Sequence, residues 1–168
     1  MFKPRGFTLI ELLIVLVLIA VITGMAMLSM GIADPRDQQK LESERLLKLL
    51  ELATQEAIVR SEMIGVEFSK QGYRFVSLKQ QKWQVEESDI IFKPREIKPI
   101  LTLALTKNTS RIDLPLLSNF NLKPQIIISP AGDIEPFELS VALQNSKSIF
   151  WVSNTADNGL VLKSEDPR

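Results

Sequence analysis

The chain has 168 residues, 45% of them hydrophobic, which is enough for one packed domain carrying an extension. It contains no cysteine and no histidine, and this excludes a disulfide framework, a thiolate nucleophile, a Ser-His-Asp triad and a Cys/His zinc site. Twenty basic residues balance twenty acidic ones, so the bulk charge advertises neither nucleic acid nor an anionic surface as partner.

The order of the charges says more than their total. Lys3 and Arg5 open the chain, Glu11 follows alone, and from Leu12 to Ala33 there is no charge at all. At 1.5 Å per residue that run makes about 33 Å of helix, enough to cross a hydrocarbon core of roughly 30 Å. It is longer than the apolar region of an ordinary secretory signal and ends in Met-Gly-Ile-Ala-Asp-Pro rather than a small-x-small cleavage site. The run predicts a retained single-pass anchor, with the basic N-terminus inside and everything after Asp34 outside. Glu11 at its mouth needs an explanation, because a charge within hydrocarbon costs roughly 2.5–3.5 kcal/mol at mid-bilayer.

The leader Met-Phe-Lys-Pro-Arg-Gly, followed by Phe7-Thr8-Leu9-Ile10-Glu11 and the apolar run, resembles the class III signal of type IV pilins and type II secretion pseudopilins. The resemblance implies that a prepilin peptidase cuts between Gly6 and Phe7 and methylates the new amine on Phe7. It also implies a role for Glu11, which would neutralise the N-terminal amine of a neighbouring subunit when helices pack into a filament. A buried charge is tolerated when paired and costly when its partner is removed, so this carboxylate would report whether a subunit has docked. The division expected is a cleaved leader over 1–6, a transmembrane and assembly helix over 7–33, an amphipathic helical segment over 34–64, and a β-rich globular domain over 65–168.

Asp34 and Pro35 read as the start of a second helical piece or as a kink in a continuous one. From Gln38 to Arg60 the period is helical: Leu46, Leu50, Ala53 and Ala57 share a face, and Leu47, Leu49 and Ile58 widen it. Glu44 with Lys48, and Glu56 with Arg60, are acid-before-base pairs one turn apart on the wet side. After Gly65 the period changes to two. Strands are expected around Val66 and Phe68, over Tyr73–Leu78, at Trp83 and Val85, and then at Ile90–Phe92, Ile100–Leu105, Gln125–Ser129, Phe137–Leu143, Ser148–Ser153 and Leu160–Leu162. Asn158-Gly159 marks a turn between the last two. The fold class is therefore α+β and pilin-like, a long N-terminal helix packed on antiparallel sheet.

Ile128-Ser129-Pro130-Ala131-Gly132-Asp133, with Pro136 and Phe137 behind it, is similar to the strand-turn-strand signature of the GspH/FimT-type minor pseudopilins. In physical terms it is a tight turn with Gly132 available for a positive φ. The function this resemblance implies is that of a structural subunit, not an enzyme, in the periplasmic pseudopilus of type II secretion, anchored in the bacterial inner membrane. Its implied partners are other major and minor pseudopilins, prepilin peptidase, the inner-membrane assembly platform, membrane lipid and secreted substrates. No cofactor or metal is expected: Glu86, Glu87 and Asp89, and Asp133, Glu135 and Glu138, lack the spacing of a calcium loop and read as solvated surface. Ser110 and Lys107 do not form a catalytic dyad, and Trp151 between Phe150 and Val152 reads as core. The alternative is a FimT-like minor pilin that binds DNA or aids pilus assembly. Lys70, Arg74, Lys79, Lys82, Lys93, Arg95 and Lys98 with Tyr73, Phe75 and Trp83 between them speak for it. Against nucleic acid, loss of the leader removes Lys3 and Arg5 and leaves the acids in excess.

Overall fold

A computed structural model describes residues 8–29, 34–85, 91–116 and 121–165, with the side chains of 26–29 left aside. The chain divides into two units, residues 1–34 and 35–168.

The first unit holds helix α1, Leu9–Ser29. Thr8 caps it: its Oγ1 accepts from the Glu11 amide at 3.3 Å, and its carbonyl accepts from the Glu11 and Leu12 amides at 3.1 and 3.3 Å. Gly24 lies inside the helix and does not interrupt it.

In the second unit, helix α2 runs from Pro35 to Arg60. Proline suits its first position, where an N–H would have no intrahelical partner. Leu46, Leu50, Ala53 and Ala57 are buried to 1% exposure or less, as the stripe requires, and Leu49 joins them, whereas Ile58 is 49% exposed. The Glu56–Arg60 pair forms at 2.6 Å. Lys48, however, reaches forward to Glu51 at 2.8 Å, and Glu44 faces Lys40 at 3.9 Å, so the expected Glu44–Lys48 pair is replaced by two neighbours on the same solvated face. The helix closes in a Schellman motif. Ser61 takes φ 53°, its amide donates to the Ile58 carbonyl, and the Glu62 amide donates to that of Ala57.

Among the described residues, ten strands follow in two antiparallel sheets. The first has the order β3-β2-β1-β7, from β1 (Ile64–Ser69), β2 (Gly72–Lys79), β3 (Lys82–Gln84) and β7 (Ile126–Ile128), with β4 (Arg95–Glu96) pairing on β2. The second has the order β10-β9-β8-β5-β6, from β5 (Leu101–Lys107), β6 (Ser110–Ile112), β8 (Phe137–Leu143), β9 (Ile149–Thr155) and β10 (Gly159–Glu165). The two-residue turns Gln80-Gln81 and Asn108-Thr109 carry positive φ throughout, matching the twist of the hairpins they close. Between β9 and β10 the loop spans three residues, and Gly159, at φ 63°, is the first residue of β10.

One core joins the inner faces of both sheets to the buried stripe of α2. Alternation is clear in β5, where Leu101, Leu103 and Leu105 are buried, and in β8, where Phe137, Leu139, Val141 and Leu143 are. Strand β1 departs from it, every residue being buried. Its second face is covered by the segment around Pro124, so close that a Cβ on Gly65 would stand 2.6 Å from the Pro124 Cβ.

Three expectations are corrected. Ile91 and Phe92 lie in a turn, not a strand, and Ile90 is outside the described residues; Phe92 is apolar because it packs on Phe75, ring centroids 4.9 Å apart, inside the core. Strands β4 and β6, for which no strand was expected, are short and mostly polar and pair with the backbones of β2 and β5. Val85 falls outside β3. In β9 only Val152 of the Phe150–Val152 trio is fully buried, the two aromatics being partly buried.

Candidate functional site

Helix α1 is apolar all round. Its large side chains from Leu9 to Met25 are exposed by 45% or more, Leu9 by 85% and Ile22 by 66%. A helix with no polar face belongs inside another apolar medium or an assembly rather than in water. Thr23 is no exception, because its hydroxyl donates to the Ile19 carbonyl at 2.7 Å. Among the described residues no helix is long and apolar enough to cross a membrane; the side chains described for α1 stop at Met25, and the uncharged run continues to Ala33 in the sequence.

Glu11 is exposed and lies in the first turn of α1. Two local effects favour a carboxylate there: the unpaired amides of a helix start carry partial positive charge, and Thr8 with Glu11 has the Thr-x-x-Glu spacing of a capping box. One half of that box is made, the Glu11 amide bonding the Thr8 hydroxyl. The Thr-x-x-Glu spacing that signals this cap is visible in the sequence, alongside the intersubunit role expected of Glu11. Gly6 and Phe7 lie outside the described residues.

In the second unit two buried carboxylates serve as anchors. Glu42 on α2 accepts from the Tyr73 hydroxyl at 2.9 Å and from Arg45 at 2.8 Å, tying the helix to β2. Burial, together with the negative charge of Glu42 and its hydrogen bond, pushes the Tyr73 phenol far above its ordinary range. Glu67, 1% exposed, accepts from Arg74 at 2.7 Å and from the Asn121 and Lys123 amides at 3.1 and 2.7 Å. It thereby holds the segment that covers the second face of β1. The Gln39 amide bonds the carbonyls of Val141 and Ser148 at 2.8 and 2.9 Å and fixes the first turns of α2 to the second sheet. The bonds of Glu42 to Tyr73, of Glu67 to the Asn121 and Lys123 amides and of Gln39 to Val141 and Ser148 had no signal in local spacing, because each joins residues far apart in the chain.

The turn after β7 has the form its residues predict. The Gly132 amide donates to the Ser129 carbonyl at 2.9 Å with φ 88°, and the Ser129 hydroxyl accepts from the Ala131 and Asp133 amides. Ile128 then bridges to Ile134 rather than to a full strand. Lys107 meets Glu135 at 2.8 Å, and this hydrogen bond and the lysine charge hold the Glu135 carboxyl below its usual range. Among the described residues no three acidic side chains converge on a common point; Glu86, Glu87 and Asp89 lie outside them. Tyr73 and Phe75, 0% and 2% exposed, belong to the core and offer no face on which a base stacks.

Comparison with known proteins agrees with this architecture. Residues 1–27 match the prokaryotic N-terminal methylation motif, and residues 42–155 match the family described as type II transport protein GspH. The type II secretion system protein H of Pseudomonas aeruginosa is 30% identical over 148 residues, covering 82% of this chain and 83% of its own. That of Aeromonas hydrophila is 25% identical over 153 residues, covering 85% and 83%. Among solved structures, the minor pseudopilin EpsH of Vibrio cholerae superposes with a TM-score of 0.66 at 21% identity, covering 79% of this chain and 97% of that one. The solution structure of Escherichia coli GspH gives 0.59 at 19% identity, covering 79% and 93%. These likenesses carry the α+β pilin-like fold, and the sequence matches carry the lineage: the chain belongs to the GspH family of type II secretion minor pseudopilins.

Proposed function

We propose that this chain is a structural subunit of the periplasmic pseudopilus, anchored in the inner membrane by α1 with its globular domain in the periplasm. Prepilin peptidase removes residues 1–6 after Gly6 and methylates Phe7. The apolar helix then waits in the membrane until it joins the filament, where Glu11 pairs with the amine of a neighbouring subunit and the globular domain meets other pseudopilins. The observation that supports this reading best is a helix apolar all round, its described side chains exposed, that opens on a lone acid within the methylation motif. Such a helix needs both an apolar medium and a cationic partner.

Replacement of Glu11 tests the pairing. In cells lacking the native subunit, Glu11→Ala is expected to be processed and held in the membrane while its recovery with sheared pseudopilus falls at least tenfold and secretion falls with it. Glu11→Asp is expected to recover part of both. Full secretion by Glu11→Ala would show that the carboxylate has no part in subunit pairing.

A further inference from the structure

The face of the second sheet turned away from α2 carries a groove of about 440 Å³ beside the Asn108-Thr109 turn. Strand register places Thr106 opposite Glu138 and Glu138 opposite Ser153, so the three share a face, with Thr155 two residues further along β9. Val161 is opposite Ser153, which brings Lys163 of β10 to the same face. The opposite face, with Leu139 and Val152, is fully buried in the core.

Two observations point to a ligand. Ser153 is only 4% exposed, yet its Oγ has no hydrogen-bond partner, and the buried Oγ1 of Thr155 is equally without one. Buried hydroxyls are nearly always satisfied, so this pair awaits polar groups from elsewhere. Moreover, among the described residues neither the Glu138 carboxylate nor the Lys163 ammonium has an ion-pair or hydrogen-bond partner.

The spacing and the charges select the occupant. Hydroxyls on alternate residues of one strand repeat at about 6.6–6.8 Å, the interval at which an extended chain presents its own main-chain groups on one side. An acid and a base flanking them match side chains of both signs. Glu138 opposes a phosphate chain, and Phe137, the one aromatic among the lining residues, is 4% exposed and gives a sugar ring no platform.

We propose that this groove docks an extended polypeptide segment of another filament subunit, whose amides satisfy Ser153 and Thr155 and whose charged side chains pair with Glu138 and Lys163. The proposal rests on the filament reading given above. It is tested in whole cells by placing p-benzoylphenylalanine at Thr109, on the rim of the groove, or at Ile19, on α1, and mapping the photo-crosslinks by fragmentation mass spectrometry. Both positions are expected to crosslink to subunits that carry a methylation motif, Thr109 to a segment bearing acidic and basic side chains. Glu138→Lys is expected to lower the Thr109 yield at least fivefold and leave the Ile19 yield unchanged. Crosslinks from Ile19 with none from Thr109, crosslinks from Thr109 only to cell-wall muropeptides, or a Thr109 yield indifferent to Glu138→Lys would overturn the groove proposal alone. Absence of subunit crosslinks from both positions would overturn the filament reading and the groove with it.

Discussion

Gly132 stands where the backbone disfavours a side chain. Its φ of 88° is one that L-residues rarely adopt, while a Cβ there would lie 2.9 Å from the Cδ1 of Ile58 on α2, the end of a half-exposed side chain that can move aside. Gly132→Ala is therefore expected to lower stability by about 1–2 kcal/mol, read as a reduced urea midpoint with an unchanged slope. Tyr73 makes a pH-dependent prediction. Its folded-state pKa lies above the ordinary value near 10, so the contribution is complete below that pH and is lost as pH climbs beyond it. Tyr73→Phe is expected to cost about 1 kcal/mol at neutral pH and to flatten the stability profile on the alkaline side; an unchanged profile would mean the phenol is not the titrating group. Gly132 was legible in the sequence because a turn is a local pattern, and Thr8 with Glu11 could have been read as a cap in the same way. Glu67 and the Glu42–Tyr73 bond were not legible, since a carboxylate in a strand or helix carries no mark of the distant amides and hydroxyl it will meet.

For the elements, periodicity located α2 and the long strands, where three or more buried positions recur at a fixed interval. It failed where the interval has too few positions to register. Strands β4 and β6 have two and three residues and mostly polar side chains, and the Phe92 stretch is apolar because it fills a core gap rather than because it pairs. The partner of Lys48 escaped for a related reason: this lysine has acids one turn away on both sides, and the choice between them is worth a few tenths of a kcal/mol. The end of α2 offers a direct check on the cap. Ser61 occupies the left-handed position that glycine fills at lowest cost, so Ser61→Gly is expected to stabilise the domain by about 0.5–1 kcal/mol in denaturant unfolding. A loss of stability would show that the Ser61 side chain contributes more than its backbone strain removes.

At the scale of the whole molecule, the two units divide the work of a filament subunit. The first is one apolar helix with a charge only at its start, and the second is a closed α+β core with buried polar anchors between its layers. This division explains why the leader, the apolar run and the helix-then-strands order identified the family from sequence, while the groove beside the Asn108-Thr109 turn became visible only once strand register brought β5, β8, β9 and β10 together. The central claim is that the chain enters the filament pathway by cleavage at its N-terminus. The measurement that tests it most directly is the intact mass of the protein isolated from cells with and without prepilin peptidase. The account predicts a species lacking residues 1–6 and bearing one added methyl group on Phe7 when the peptidase is present, and the uncleaved chain when it is absent. A full-length protein in both cells, or a cut beyond Ala33, would contradict it.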